Sequence, residues 1–175
     1  MNISRADLLM WLARQFVGVH EEGGPNKGAL VERFQRAVDG KAQGEPWCCA
    51  FVQYLIAEVD RFALGHGDVG ESSLAKTEWV RGLWEQSPRQ LRVDFPRRGA
   101  LILWEQLGAD GKPTSAGHVG LITGISMAGK ISTIEGNTGP GAGVQRDGDG
   151  VWERERSLAG EGSMKILGFL TPWRD

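Results

Sequence analysis

The chain has 175 residues, of which 41% are hydrophobic, enough for one substantial core but short for two domains. A net charge of −2 and a pI near 6.0 give no strong positive field, so nucleic acid and anionic membranes are poor partners. Residues 1–20 lack the basic start and continuous apolar stretch of a signal peptide, and no segment resembles a membrane span. We therefore expect a monomer, synthesised in the cytoplasm, with residues 1–175 in a single domain and no membrane insertion.

The first part of the chain predicts helices. Apolar residues recur at helical spacing over residues 3–17 and again over residues 29–40, where Gly40 is a suitable helix end. A third helix is predicted from about residue 47 to residue 60, and a fourth over residues 72–86.

The character of the sequence changes after Pro96. Segments rich in Ile, Leu and Val and separated by Gly, Pro and Asp predict strands at 99–106, 118–125, 130–137 and 165–173. The stretch VQRDGDGVWERERS indicates an additional hairpin around residues 148–150. Helices followed by strands indicate an α+β fold, in which N-terminal helices pack on one face of an antiparallel sheet.

Cys48 and Cys49 are the only cysteines, and they are adjacent. Adjacent cysteines cannot cross-link distant parts of a fold, and a disulfide between them would be strained. A zinc site would need further ligands, and the chain has only His20, His66 and His118 and no C-x-x-C motif. A redox pair and a metal centre are therefore disfavoured, which leaves a buried small residue or a nucleophile.

The position of Cys48 on the third predicted helix bears on this choice. It begins an apolar stripe at i, i+3, i+4, i+7, i+8 and i+11, made of Cys48, Phe51, Val52, Leu55, Ile56 and Val59. Cys48 is therefore predicted on the face that packs on the sheet, with Cys49 about a quarter-turn away. The first turn of a helix favours a thiolate, although a free cysteine on an apolar face can also be a small core residue.

His118 is the candidate base for such a nucleophile. It begins a predicted strand, and a turn centred between residues 127 and 128 would return the chain. Asn137 then lies opposite His118, and Glu135 lies opposite Gly120. Cross-strand partners share a face, so we expect His118, Glu135 and Asn137 to point the same way. A thiol beside an imidazole that a carboxylate or amide orients is a nucleophilic catalytic unit.

These motifs also resemble a known family. PWCCAFV resembles the P-W-C-A-A-F-V signature of CHAP domains, the cysteine- and histidine-dependent amidohydrolases/peptidases of the NlpC/P60-like group, whose fold is papain-like. GHVGLITG and TIEGNT resemble the histidine and acid-amide motifs of that family, in the same order. The resemblance implies a nucleophile at Cys48, a base at His118, an orienting acid at Glu135 and a supporting amide at Asn137. Cys49 departs from the family pattern, where alanine is usual.

The resemblance implies a peptidoglycan hydrolase that cleaves an amide bond, as an endopeptidase or as an N-acetylmuramoyl-L-alanine amidase, without a cofactor. Some family members bind calcium through an acidic cluster before the cysteine. That region here has only the scattered acids Glu21, Glu22, Glu32 and Asp39, so we expect no metal site.

The biological setting stays open between a phage lysin and a secreted antibacterial effector, which would have a cognate immunity protein. Either would act in the cell wall or periplasm, after holin-dependent release or specialised secretion. Two other functions also remain: a Cys-His deamidase or transferase toxin that acts on a protein, and a catalytically silent wall-binding module. Trp79, Trp84, Trp104 and Trp152 could line a glycan groove, but such large side chains more often pack in a core.

Overall fold

The computed structural model describes residues 3–67, 70–126, 129–141 and 148–174. The helices are α1 (Arg5–Arg14), α2 (Ala29–Asp39), α3 (Cys48–Gly65) and α4 (Val80–Gln86), with a short 3-10 helix at Arg89–Leu91. The strands are β1 (Arg92–Val93), β2 (Leu101–Leu107), β3 (Pro113–Ile125), β4 (Lys130–Thr138), β5 (Gly150–Ser157) and β6 (Met164–Leu170). Within these ranges, each helix is too short or too polar to cross a membrane.

The strands form one antiparallel sheet in the order β1-β6-β2-β3-β4-β5. Helices α3 and α4 pack on this sheet, and α1 and α2 pack on α3. The predicted α+β class, with N-terminal helices on an antiparallel sheet, is confirmed. Of the hairpin predicted around residues 148–150, the second arm is β5, which pairs with β4, and residues 142–147 lie outside the described residues.

Helix α3 is the centre of the main core. Twelve of its eighteen residues are buried, because α1, α2 and the sheet surround it. It runs to Gly65, beyond the predicted end at residue 60, and Ala63 extends its buried face. The main core joins α3 to one face of the sheet through Phe51, Leu55, Leu101, Leu103, Val119, Leu121 and Ile134.

The opposite face of the sheet carries a second, smaller apolar cluster. Its buried members are Ala100, Ile102, Trp104, Ile122, Ile131, Met164 and Phe169. Because side chains alternate along a strand, neighbours of the main-core residues point into this second cluster. The middle of the sheet is therefore buried on both faces. Polar side chains on the second face are shielded from water as well.

The fourth helix is shorter than predicted. It begins at Val80, and the residues before it from 72 onward form neither helix nor strand. Their backbone N–H groups donate to side chains of distant residues, namely Ser72 to Asp60, Ala75 to Ser87 and Thr77 to Gln53. These bonds satisfy backbone N–H groups without helical hydrogen bonds. The helix predicted over residues 72–79 from apolar spacing alone is therefore wrong.

The register of β3 against β4 is the one predicted. Leu121 pairs with Ile134 and Ile122 with Thr133, and continuation of this register places Glu135 opposite Gly120. A β-bulge follows between Ile122 and Gly124, on the side of the turn. The predicted turn centre at 127–128 lies outside the described residues.

Candidate active site

The site begins at the N-terminal end of α3. Cys48 is the first helical residue, and the N-cap residue Trp47 makes no side-chain capping bond. The N–H groups of the first turn therefore lack intrahelical acceptors. Gly136 of β4 allows this turn to lie directly on the sheet, because a Cβ there would be 2.8 Å from both Phe51 and Trp47.

His118 and Glu135 form a buried pair on neighbouring strands. Nε2 of His118 lies 2.9 Å from Oε2 of Glu135, and both side chains are fully buried. Gly120 makes room for the carboxylate, since a Cβ at this position would be 2.7 Å from Cγ of Glu135. Glu135 thus fixes Nε2 of the imidazole as a donor and leaves Nδ1 for another partner.

We infer that Cys48 is that other partner, because its side chain interacts with that of His118. Nδ1 of His118 is buried without a hydrogen bond of ordinary geometry, and the Cys48 thiol, 5% exposed, interacts with the imidazole by a side-chain contact. The structure therefore brings together Cys48, His118 and Glu135, as the sequence predicts. Hydrogen bonds in catalytic sites are often loose before substrate binds.

The electrostatics favour a thiolate–imidazolium pair. A hydrogen bond from Cys49 lowers the pKa of Cys48 well below its usual value, and the hydrogen bond and charge of His118 act in the same direction against burial. Burial alone would lower the pKa of His118, but hydrogen bonds and charge from Cys48 and Glu135 raise it to about 9. Between these two pKa values the thiol is ionised and the imidazole is protonated.

Cys49, the neighbour of Cys48 on α3, has a protonated thiol. Its side chain is fully buried. Its hydrogen bond to Cys48, together with burial, raises the pKa of the Cys49 thiol well above its usual value. Cys49 therefore supports the Cys48 thiolate and stays neutral itself.

Arg156 is a buried member of the site that the sequence analysis missed. Its Nε and Nη2 donate to Oε1 and Oε2 of Glu135 at 2.8 and 2.5 Å, and its side chain is 1% exposed. Thr133 donates a further hydrogen bond to Oε1 at 2.5 Å. Burial raises the pKa of Glu135, but the bonds and charges of Arg156 and His118 hold it at about 2. In the sequence, Arg156 is one of two arginines alternating with glutamates, a pattern typical of a solvated strand.

Trp104 forms the floor under these groups. Its indole ring stacks on the imidazole of His118, with centroids 5.9 Å apart and planes at 26°, and Arg156 lies 5.8 Å from its centroid. Trp104 is fully buried, so for this tryptophan the preference for core packing over a glycan groove is confirmed. The stack limits rotation of the imidazole and excludes water from its inner side.

Asn137 lies near the end of β4 and is 1% exposed. It adopts a left-handed backbone conformation with φ of 55°, where the strand loses its regular alternation. Its carbonyl accepts a hydrogen bond from the N–H of Gly148 at 3.3 Å. Its catalytic role stays a prediction.

A small cleft of about 130 Å³ opens beside Cys48. Its walls include Glu45, Glu78, Trp79 and Gly117. Burial, together with the charge and hydrogen bond of Glu45, raises the pKa of Glu78. Trp79 is 42% exposed, in contrast to its predicted core position, and its Nε1 donates to the carbonyl of Ser115 at 3.1 Å. Cys48 is therefore reached through a cleft with an acidic rim and one exposed indole.

The acids that precede the cysteine have other partners. Glu21 accepts a hydrogen bond from Nε1 of Trp47 at 2.9 Å, Glu32 pairs with Arg36 at 3.0 Å, and Asp39 lies 3.8 Å from Lys41. In the described ranges, no three His, Cys, Asp or Glu side chains are grouped so as to hold a metal ion.

The other two histidines contact residues other than Cys48, His118 and Glu135. His20 pairs with Asp149 at 3.5 Å and contacts Trp152 edge-on, while His66 stacks on Phe62 with centroids 4.1 Å apart.

Comparison with models of protein families gives evidence that does not depend on the geometry of the site. The family model of the CHAP domain matches residues 40–137, more than half of the chain. The chain belongs to the CHAP family. Membership indicates an amidohydrolase or peptidase. Neither the curated proteins nor the solved structures gave a match.

The matched region of this CHAP domain contains Cys48, His118, Glu135 and Asn137. Strands β5 and β6 lie beyond it but complete the same sheet. Arg156 on β5 therefore contacts the carboxylate of Glu135 from outside the matched residues.

Proposed function

We propose that this CHAP domain is a peptidoglycan hydrolase that cleaves an amide bond through a cysteine acyl-enzyme. The observation that carries the proposal is the group of buried, interacting side chains of Cys48, His118 and Glu135 beside an open cleft in a CHAP domain. The bond cleaved lies either within the stem peptide or between N-acetylmuramic acid and L-alanine.

In the first half-reaction, the Cys48 thiolate attacks the carbonyl carbon of the scissile amide. His118 donates its Nδ1 proton to the leaving nitrogen, the carbon–nitrogen bond breaks, and a thioester remains on Cys48. Glu135 stays ionised throughout, because its role is to orient the imidazole and stabilise its positive charge.

In the second half-reaction, neutral His118 takes a proton from water at Nδ1. The resulting hydroxide attacks the thioester carbon, the sulfur–carbon bond breaks, and the carboxylic acid product leaves. The thiolate and the imidazolium are restored together, which is the resting pair that the pKa shifts favour.

The carbonyl oxygen becomes negatively charged during both attacks, and it needs hydrogen-bond donors to stabilise that charge. The first turn of α3 supplies them, since its N–H groups have no intrahelical acceptor and the positive end of the helix dipole lies there. We assign the N–H of Cys48 as one such donor, as in other sites where backbone groups bind an oxyanion.

Two biological settings suit this chemistry, a phage lysin and a secreted antibacterial effector. The first would require holin-dependent release and the second specialised secretion with a cognate immunity protein. Both place the enzyme in the cell wall or periplasm. A neighbouring holin gene would argue for lysis, and a neighbouring immunity gene for an effector.

Digestion of purified peptidoglycan tests the proposal directly. We expect the protein to release soluble fragments, with new amino groups and no new reducing sugar ends, because an amide and not a glycosidic bond is broken. Mass analysis of the fragments identifies the bond: intact stem peptides freed from glycan indicate an amidase, and shortened peptides indicate an endopeptidase.

The same experiment separates the alternative functions. Release of ammonia without fragments would indicate a deamidase, and modification of an added protein would indicate a transferase. Wall binding without any product would indicate a silent module. Each of these results would contradict the proposed hydrolase.

Metal removal gives a second test. We expect EDTA to leave the rate of wall digestion within about twofold of the untreated enzyme, because the thiolate needs no metal to attack a carbonyl. The measurement is turbidity loss of purified walls with EDTA, and with EDTA followed by excess calcium. Loss of activity with EDTA and its return with calcium would show that acidic residues near the cysteine bind a required ion.

A further inference from the structure

We propose that Arg156 is a positioning residue of the catalytic site, whose guanidinium holds the Glu135 carboxylate as an anion against Nε2 of His118. The inference rests on the proposed function, because it assigns a role within the same reaction. It adds to the Cys-His-acid unit a fourth member that comes from β5.

The geometry is that of a two-point clamp. Nε of Arg156 donates to Oε1 of Glu135 at 2.8 Å, and Nη2 donates to Oε2 at 2.5 Å. A planar guanidinium that bonds both oxygens of a carboxylate fixes its plane as well as its position. The oxygen that receives Nη2 is also the one that contacts Nε2 of His118 at 2.9 Å. The orientation of the imidazole therefore depends on Arg156 through one shared oxygen.

Burial makes the clamp necessary. His118 and Glu135 are fully buried, and Arg156 is 1% exposed, so water does not share the task of stabilising the carboxylate. An isolated buried carboxyl group would take up a proton near neutral pH. A neutral Glu135 could still bond to the imidazole, but it could not balance the charge of the imidazolium.

Two further contacts of Arg156 hold the guanidinium in place. Nη1 lies 3.4 Å from Oε2 of Glu161, and the guanidinium carbon lies 5.8 Å from the centroid of the Trp104 ring. The same indole stacks on His118, so one rigid ring contacts both the guanidinium of Arg156 and the imidazole of His118.

The charged groups that face His118 and Glu135 are few in the described part of the chain. They are Cys48 and Arg156, with Arg154 interacting with Glu135 at longer range, whereas Glu161 acts on the two arginines. Loss of Arg156 leaves the carboxylate with Thr133 and the imidazole alone. Glu135 then becomes protonated at higher pH than in the parent, the imidazolium loses its counter-charge, and the Cys48 thiolate forms only at higher pH.

The experiment measures the Cys48 thiolate without any wall substrate. The rate of alkylation by iodoacetamide is followed across pH, and peptide mass mapping separates Cys48 from Cys49. We expect Arg156→Met to move the midpoint of Cys48 alkylation upward by about one pH unit or more, the range expected when a carboxylate loses a neighbouring cation. Arg156→Lys retains a positive charge, so we expect its midpoint within about half a unit of the parent.

Arg154→Met is the matched control. Arg154 lies two residues earlier on the same strand and donates to the backbone carbonyls of Gly139, at 2.5 Å, and Gly141. We expect its midpoint to stay within about 0.3 units of the parent, since its bonds do not involve the carboxylate. A merely structural role for Arg156 would make Arg156→Lys and Arg156→Met alike.

A double variant tests whether Arg156 acts through Glu135. In a Glu135→Gln background, we expect Arg156→Met to change the midpoint by less than half of its effect in the parent. Equal shifts in both backgrounds, or no shift on replacing Arg156 in folded protein, would overturn the inference. If Arg156→Met fails to fold by circular dichroism, Arg156→Gln takes its place against Arg156→Lys, and equal midpoints for these two would likewise overturn it.

These outcomes are independent of wall hydrolysis. An upward midpoint in a protein that does not cleave peptidoglycan would retain the role of Arg156 and reject the substrate. Normal wall cleavage with an unmoved midpoint would reject the role of Arg156 and retain the substrate.

Discussion

Cys48→Ala is expected to abolish wall hydrolysis, with a loss on the order of 10⁴-fold or more, because no other group can form the acyl-enzyme. Cys49→Ala is expected to retain activity within about tenfold of the parent, since it removes one hydrogen bond and no reacting atom. The acid limb of its pH–rate profile should move upward, because the Cys49 hydrogen bond is the largest influence that lowers the pKa of Cys48. The measurement is the initial rate of fragment release from purified walls across pH.

The two variants control for each other, since both remove one buried thiol from the same turn of α3. Circular dichroism and thermal melting show whether each is folded. Equal loss of activity from both substitutions, with folding intact, would show that the nucleophile has been assigned to the wrong cysteine or that both thiols take part in the reaction.

Glu135→Gln is expected to lower turnover by about 10²–10⁴-fold and to move the alkaline limb of the pH–rate profile to lower pH. The sign follows from the ion pair. Glu135 raises the pKa of His118, which stands at about 9, so its neutralisation lets the imidazolium lose its proton earlier as pH rises. Asn137→Ala removes no charge from His118, so we expect lower turnover with an alkaline limb within about 0.3 units of the parent. The measurement is kcat against pH for the parent and both variants.

Stability has to be followed alongside this measurement, because Glu135→Gln removes the nearer of the two carboxylates that pair with the buried Arg156. Breaking a buried ion pair from one side costs about 3–5 kcal/mol. Glu135→Asp retains the charge and is expected to keep the alkaline limb near that of the parent. A limb that moves in Asn137→Ala and not in Glu135→Gln would reverse the two roles, and unchanged turnover in both would place the orienting group elsewhere.

The sequence predicted those parts of the site whose residues follow a local repeat, either that of a helix or that of a strand. The apolar stripe from Cys48 to Val59 has the 3.6-residue repeat of a buried helix, which placed Cys48 in a first turn facing the core. The two-residue repeat of strands, together with one short turn, likewise predicted that Glu135 lies opposite Gly120 and on the same face of the sheet as His118.

Only the tertiary structure decided the contacts that depend on distant segments. Residues 72–79 have helical apolar spacing but form no helix, and side chains of α3 and of Ser87 satisfy backbone N–H groups of this segment. Arg156 has the sequence pattern of a solvated residue. It is buried because β5 pairs with β4 and places its guanidinium on the carboxylate of Glu135, under the Trp104 ring. A local sequence pattern carries no information on which distant charge will share a buried face, so the contact of Arg156 with Glu135 became visible only once the sheet was assembled.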